Sequence, residues 1–143
     1  MIRTVIVDDH DLIRDGFKKL IAGEPDISLV GEAKNGSELR TLLNTKEIDV
    51  IVLDLKLPDM DGLEILKEIR QLKKPVRTLV LSMYSEDQYA KRALENGAAG
   101  YLTKAHASEE LIRAIRKIFY QGRYISEKLA EVLAVDRKST RLN

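Results

Sequence analysis

Five short runs rich in β-branched residues alternate along the chain with segments whose apolar residues recur at helical spacing. The runs are predicted strands at Thr4–Val7, Ile27–Ala33, Val50–Leu53, Thr78–Ser82 and Gly100–Thr103. The first, third and fourth runs are almost wholly apolar, which is typical of strands covered on both faces in a parallel sheet. Five strand–helix units in about 120 residues predict an α/β fold with one doubly wound, five-stranded parallel sheet.

The intervening segments carry signals of helix ends. Asp61 has the spacing of a capping box, Asp11 is expected to cap the first helix, and Gly97 is expected to end the fourth. The fourth helix, near residues 86–96, has a thin apolar face and is predicted to be the most loosely held. A further helical pattern covers Ser126–Val135.

Composition excludes several classes of protein. The 143 residues include no Cys, which excludes a disulfide scaffold and a thiolate metal site and fits a reducing cytoplasm. No apolar run approaches the roughly 18 residues of a membrane span, and no signal peptide precedes the first predicted strand. The net charge is +1; residues 136–143 hold a surplus of +2, which leaves −1 on residues 1–135. We therefore expect a cytoplasmic chain that contacts no membrane and does not bind DNA by itself.

Chemically reactive side chains follow the ends of the predicted strands. Asp8 and Asp9 come after the first strand, and Asp54 comes after the third. Ser82 ends the fourth strand, and Lys104 follows the fifth. Ligands of open α/β sheets bind at the carboxyl ends of the strands. The sequence therefore predicts that three carboxylates, a hydroxyl and an ammonium converge at one edge of the sheet.

Such a cluster of charges requires a partner. Two carboxylates 4 Å apart repel by about 4 kcal/mol at an effective dielectric of about 20. Lys104 can offset part of that repulsion, and Mg²⁺ suits a site with two carboxylates, waters and an incoming phosphate. A carboxylate beside Mg²⁺ and an ammonium can accept a phosphoryl group, because catalysis there consists mainly of positioning and charge neutralisation.

Each of these residues also has an ordinary structural interpretation. An acidic pair after a strand is often a helix cap or solvated surface, and a single Ser or Lys is weak evidence. His10 lies between acidic residues, but no second His lies at metal-ligand spacing, so we do not assign it to a metal site. Nucleotide-binding loops, a serine elbow and the H-E-x-x-H motif are absent from the sequence. The agreement of all five residues with predicted strand ends favours a shared site.

Four motifs carry a family resemblance. They are Val-Asp-Asp at 7–9, Leu-Asp-Leu-Lys-Leu-Pro-Asp-Met-Asp-Gly at 53–62, Leu-Ser-Met-Tyr at 81–84 and Gly-Tyr-Leu-Thr-Lys at 100–104. Over residues 1–121 the chain resembles the receiver domain of two-component response regulators. Three phrases most closely resemble the NarL/LuxR-type transcriptional regulators: Asp-Asp-His at 8–10, Leu-Ser-Met-Tyr-Ser-Glu-Asp at 81–87 and Gly-Ala-Ala-Gly-Tyr-Leu-Thr-Lys at 97–104. The resemblance implies a flavodoxin-like (βα)5 fold with strand order 2-1-3-4-5.

The resemblance also implies an acceptor and a metal site. Asp54 would be the phosphoacceptor, supplied by a histidine kinase. Mg²⁺ would bind Asp9 directly and Asp8 largely through water, with Asp54 and the backbone carbonyl of Lys56 completing the shell. Lys56 is a departure that bears on access of water to the phosphoryl group, although simple surface exposure explains it equally well.

A switch is implied as well. Ser82 and Lys104 would contact the phosphoryl oxygens, and Tyr101 would be the aromatic switch that turns from solvent into space vacated by Ser82. The alternative for Tyr101 is an ordinary strand residue with its hydroxyl in water. Ala105 stands where many receivers have proline, so the resemblance does not assure a cis peptide after Lys104.

The domain organisation follows from the same resemblance. Residues 1–121 are expected to form the receiver, residues 122–135 the start of a linker helix, and residues 136–143 a disordered or cloning-derived tail. The helix-turn-helix domain usual in the subfamily does not fit in this chain, so DNA would be contacted only through that missing domain. A histidine kinase is the expected partner, with homodimerisation on phosphorylation. The chain would be a signalling module, not an enzyme acting on other substrates.

Two rival functions use the same residues. A phosphatase of the haloacid dehalogenase type also uses a strand-end Asp nucleophile, but it needs a second Asp two residues on, where this chain has Lys56. A phosphorylation-independent interaction module is the other rival; such modules usually lose one of the acids or the Lys, and this chain retains all of them.

Overall fold

The computed structural model describes residues 1–83, 88–125, 130, 131 and 134. Within these residues, five strands alternate with five helices: β1 (Ile2–Val7), α1 (Asp11–Ala22), β2 (Ile27–Ala33), α2 (Gly36–Thr45), β3 (Val50–Asp54), α3 (Gly62–Gln71), β4 (Arg77–Ser82), α4 (Gln88–Glu95), β5 (Gly100–Thr103) and α5 (Ala107–Gln121). The strands form one parallel sheet in the order β2-β1-β3-β4-β5. The predicted fold class and strand order are confirmed.

Alternate residues of each central strand point to opposite faces of the sheet. Helices cover both faces, so both sets of side chains are buried. On one face, Ile51 packs with the apolar residues of α2, α3 and α4. On the other face, Val52 packs with those of α1 and α5. Continuous apolar strands are what a sheet between two helical layers requires, and the carboxyl ends of the strands then meet at one edge.

The strand boundaries extend beyond the apolar runs. β1 begins at Ile2 and includes Arg3, whose backbone N–H donates to the Asp49 carboxylate at 2.8 Å. β4 begins at Arg77, whose guanidinium donates to the Ile118 carbonyl of α5 at 3.1 Å. Charged residues at strand starts carry no apolar signal, so tertiary contacts decide these boundaries.

The helix ends follow the expected capping chemistry in part. The Asp61 side chain accepts a hydrogen bond from Leu63 N–H at the start of α3, and Gly97 has the positive φ of +105° expected after α4. The expectation for Asp11 is wrong. His10 occupies the cap position of α1 without a side-chain cap, and Asp11 lies inside the first turn, where it pairs with Arg14.

The C-terminal predictions are only partly covered by the described residues. Of the predicted fourth helix, residues 88–95 are helical, with Ala90 and Ala93 buried; its predicted start lies outside the described residues, and its looser attachment stays a prediction. Of the predicted helix at 126–135, residues 130, 131 and 134 are described and helical. The predicted tail at 136–143 lies outside the described residues. No helix among those described is long and apolar enough to cross a membrane.

Candidate functional site

The carboxyl edge of the sheet brings together three of the predicted residues in direct contact. Asp8 follows β1, Asp54 ends β3, and Lys104 follows β5. The Lys104 Nζ atom lies 3.0 Å from Asp8 Oδ2 and 3.2 Å from Asp54 Oδ2. One ammonium therefore bridges two carboxylates that are 46 positions apart in the sequence.

Burial makes this arrangement unusual for charged groups. Asp8 is fully buried and Asp54 is 3% exposed. Burial raises the pKa of Asp54 above its usual value, and repulsion from Asp8 adds to the rise, against the opposing Lys56 N–H and Lys104. Burial by itself would lower the pKa of Lys104, but the hydrogen bond to Asp8 and the charge of Asp54 outweigh it, so that pKa is raised. The site therefore holds a charged lysine between two acids that a further cation would stabilise.

The exposed half of the cluster is Asp9 and His10. The His10 Nδ1 atom lies 2.8 Å from Asp8 Oδ1 and 3.2 Å from Asp9 Oδ1. Asp8, Asp9, His10 and Asp54 each offer one ligand atom, and these four atoms all lie within 4.8 Å of one another. The second His of the chain, His106, does not lie at metal-ligand spacing from His10, so the sequence offered no reason to assign His10 to the cluster. The fold itself places the ring against the acids.

This set of donors fits a hard divalent cation. Three carboxylates from two strand ends, one of them exposed, provide the oxygen ligands that Mg²⁺ prefers while leaving an open side for water and a phosphate. The ammonium of Lys104 balances one of the negative charges on the buried side. The carboxylates at this edge therefore suit the metal that the sequence predicts.

The loop after Asp54 is closed by its backbone. The Lys56 N–H donates to Asp54 Oδ1 at 3.2 Å, while the Lys56 side chain is exposed. The backbones of Lys56 and Asp61 form an isolated antiparallel β-bridge across the loop, and the Gly62 N–H donates to the Leu55 carbonyl at 2.9 Å. A Cβ at Gly62 would lie 2.6 Å from Leu55 Cα, so only glycine permits this approach. Contacts of the main chain thus hold the Asp54 carboxylate in place.

Not every acidic residue of this loop belongs to the cluster. The Asp59 carboxylate accepts hydrogen bonds from Gly36 and Ser37 N–H, at 2.8 and 3.1 Å, at the start of α2. These backbone bonds, led by the one from Gly36, lower the pKa of Asp59. Asp61 caps α3 in the same way. The two acids of the Pro-Asp-Met-Asp-Gly motif therefore hold helix ends, which separates them from Asp54.

Ser82 and Tyr101 lie on the neighbouring strands. Ser82 ends β4 and is 2% exposed, and its carbonyl accepts the Lys104 N–H at 2.8 Å. Tyr101 pairs with Val80 in β5, and its side chain is fully buried. This conformation differs from the expectation of a solvent-facing ring before phosphorylation, and from the alternative of a hydroxyl in water. The ring already occupies space within the core beside β4. No peptide bond among the described residues is cis, so Lys104–Ala105 is trans.

The fold and the site define a class of protein. Residues 4–116 match the family model described as the response regulator receiver domain. The chain belongs to that family.

Among curated relatives, the chain is 36% identical over 135 residues to the response regulator GacA of Pseudomonas aeruginosa, a match that covers 94% of this chain and 63% of GacA. It is 32% identical over 137 residues to the response regulator UvrY of Escherichia coli, covering 96% of this chain and 63% of UvrY. The chain thus spans a little under two thirds of the length of these relatives.

Solved structures agree with this assignment. A LuxR-family two-component response regulator from Aurantimonas sp. SI85-9A1 is 35% identical, with a TM-score of 0.84 and coverage of 94% of this chain and 96% of that one. The signal receiver domain of the NarL response regulator from Mycobacterium tuberculosis is 33% identical, with a TM-score of 0.79 and coverage of 85% and 98%. These likenesses support the NarL/LuxR-type subfamily that the motifs indicated.

Proposed function

We propose that Asp54 accepts a phosphoryl group from a histidine kinase in a reaction that requires Mg²⁺. The observation that carries the proposal is the buried contact of Asp54 with Lys104, beside the second carboxylate of Asp8. An Asp54 oxygen would attack phosphorus while the bond from phosphorus to the kinase imidazole breaks, and the imidazole nitrogen would keep the electron pair. The product is an aspartyl phosphate and a neutral histidine.

The residues of the chain have separate tasks in this step. Asp9, Asp54 and the carbonyl of Lys56 would hold Mg²⁺ directly, and Asp8 would hold it largely through water. The metal would neutralise charge on the transferring phosphoryl group. The Lys104 Nζ atom lies 3.2 Å from Asp54 Oδ2, so with little movement its ammonium could pair with a phosphoryl oxygen instead of the Asp54 carboxylate. This exchange of partners keeps the buried charge of Lys104 compensated throughout.

The signal would leave the site through Ser82 and Tyr101. A phosphoryl oxygen would accept a charge-assisted hydrogen bond from the Ser82 hydroxyl, which lies at the end of β4. Tyr101 on β5 is already buried, so movement of Ser82 would stabilise that position, and α4, with its thin apolar face, would be the element that shifts. Such a change needs only a few kcal/mol between two states, so phosphorylation would act by shifting populations.

The chain would work as a regulatory module for transcription. We propose that residues 1–121 are the receiver, that residues 122–135 begin a linker, and that DNA is contacted only through a separate helix-turn-helix domain. The expected partners are a cytoplasmic histidine kinase and, after phosphorylation, a second copy of the chain. The catalysis would be limited to the chain's own phosphorylation and dephosphorylation.

Incubation with acetyl phosphate, followed by intact mass measurement, tests the acceptor. The parent should gain one phosphoryl group with Mg²⁺ and none with excess EDTA. Asp54→Asn should gain none, and Asp9→Ala nearly none. Asp59→Asn is the matched control, because Asp59 is an acid of the same loop that caps α2; it should label like the parent. Full labelling of Asp54→Asn would contradict the assignment.

The same experiment separates the rival functions. A phosphatase would release phosphate continuously from the donor, whereas a receiver would stop after one phosphoryl group per chain until its own hydrolysis. An interaction module that works without phosphorylation would show no labelled species. Each of these three outcomes therefore identifies a different class of protein.

A further inference from the structure

Arg14 is a buried charge outside the cluster of strand-end residues. It lies in α1 and is 4% exposed. Its Nη1 atom donates to the backbone carbonyl of Asp8 at 2.5 Å, its Nε atom donates to Glu32 Oε1 at 3.2 Å, and its Nη2 atom pairs with Asp11. Burial of a guanidinium is costly unless its donors are satisfied, so this fork holds its three partners in fixed positions.

The far end of the fork is itself anchored. Glu32 lies on β2, and its Oε2 atom is 2.6 Å from the Nζ atom of Lys18. Lys18 is also paired with Asp15 in α1, at 3.4 Å. Arg14 therefore links the turn after β1 to β2 through a chain of ion pairs. A guanidinium that is held on two sides can fix the direction of a carbonyl group on the third.

The carbonyl that Arg14 holds belongs to the peptide between Asp8 and Asp9. A peptide unit is planar, so a fixed direction for this carbonyl also fixes the N and Cα atoms of Asp9. The Asp9 side chain is exposed, and its direction depends on this backbone. The buried Asp8 side chain and the exposed Asp9 side chain diverge from this peptide to reach the same cluster.

We propose that Arg14 is a positioning residue for the divalent cation: it orients the Asp8–Asp9 peptide so that both carboxylates face one metal. This inference rests on the proposed function, because it assigns Asp9 to the metal. Arg14 donates to the backbone carbonyl of Asp8, and a guanidinium is itself a cation. Arg14 therefore acts on the metal site without being a ligand. Outer contacts of this kind typically change metal affinity by about 10- to 100-fold.

The expected effect is on metal affinity. Arg14→Met should weaken Mg²⁺ binding by about tenfold or more, measured by isothermal titration calorimetry and, with Mn²⁺ as the probe, by electron paramagnetic resonance. Arg14→Lys should restore part of the affinity, because one ammonium can reach the carbonyl but cannot hold three partners in a planar fork. A purely structural role would lower the melting temperature without this graded loss and rescue.

Arg116 offers a matched control. It lies in α5 and pairs with Glu24 and Asp26 at 2.6 and 2.9 Å, so it also joins two acids to a helix. Arg116→Met should bind Mg²⁺ and Mn²⁺ like the parent. Titrations are compared only for proteins whose circular dichroism matches that of the parent at the working temperature. If Arg14→Met does not fold, Glu32→Gln loosens the same fork and should weaken binding in the same direction.

The outcomes separate this inference from the proposed function. A parent chain that binds neither metal overturns the proposed metal site, and the inference with it. A parent that binds while Arg14→Met, or Glu32→Gln in its place, binds equally well overturns the inference alone. Equal weakening by Arg116→Met would also overturn it, because the effect would then follow from general loss of stability.

Discussion

The two ends of the sheet use the same kinds of charged residue in opposite ways. At the carboxyl end, Asp54 is buried beside Lys104, and burial raises its pKa. At the amino end, Asp49 is half-buried and accepts two bonds from the Arg3 guanidinium at 3.0 Å, and these bonds lower its pKa. The first arrangement holds charge that the fold does not fully compensate, whereas the second is satisfied within the protein. Function is therefore expected at the end where charge is left under-compensated.

The largest effect should come from removal of the central ammonium. Lys104→Met keeps the length of the side chain but leaves two buried carboxylates without their shared partner. The rate of phosphoryl uptake from acetyl phosphate should fall by about 100-fold or more, as for loss of one charge-stabilising donor. Arg3→Met removes a cation from the amino end and should leave the rate unchanged. A Lys104→Met rate within twofold of the parent would break the comparison.

A smaller effect is expected at the end of β4. Ser82→Ala should leave phosphoryl uptake largely intact, because Lys104 would still compensate the phosphoryl charge. It should abolish the change in amide hydrogen exchange over residues 88–101 on addition of beryllofluoride and Mg²⁺. Thr78→Ala changes a buried hydroxyl at the other end of the same strand and should preserve both responses. A normal exchange response in Ser82→Ala would show that the hydroxyl does not couple to Tyr101.

The smallest effect concerns stability, and its sign should differ between the two ends. In the absence of metal at pH 7, Asp54→Asn should stabilise the protein by about 1 kcal/mol, or about 4 °C in Tm, because it removes an under-compensated charge. Asp49→Asn should destabilise it, because the Arg3 guanidinium loses its anionic partner. Thermal melts of both variants beside the parent provide the measurement.

The pH dependence of these melts sharpens the test. The pKa of Asp54 is raised on folding, so the folded state binds its proton more tightly and stability falls as pH rises through that pKa. The advantage of Asp54→Asn should therefore fade as the pH is lowered toward 4. The pKa of Asp49 is lowered on folding, so its contribution is present above the unfolded value and is lost only below it. The deficit of Asp49→Asn should thus persist at pH 5. Parallel pH profiles for the two variants would contradict the distinction.

Much of the fold could be predicted because buried parallel strands have a strong signal. The run Val50–Leu53 became β3 with one added residue, Asp54, and the strand order followed from the family motifs. Helix caps were predicted only in part. The Asn35 side chain accepts the Glu38 N–H at 2.8 Å at the start of α2, and the spacing of these two residues would have revealed that cap. The prediction for Asp11 is wrong by one residue: α1 begins at Asp11 itself, and its carboxylate pairs with Arg14 three residues further on.

The candidate site was predictable where it depends on strand ends and less so elsewhere. Asp8, Asp54 and Lys104 meet because parallel strands end together, and their types alone indicate the chemistry. His10 lies in the turn between β1 and α1, and Arg14 reaches the Asp8 carbonyl from within α1. A charged residue in a helix gives no sign from sequence that it points inward.

The main-chain contacts around Gly62 bear on how long a phosphorylated state would last. Since main-chain contacts hold the Asp54 carboxylate, we expect that a substitution of the exposed Lys56 leaves the position of that carboxylate unchanged. Under the proposed function, the duration of the phosphorylated state could then vary separately from the geometry of its formation. Exchange at position 56 would let evolution, or an engineer, lengthen or shorten a response while the input reaction stays the same.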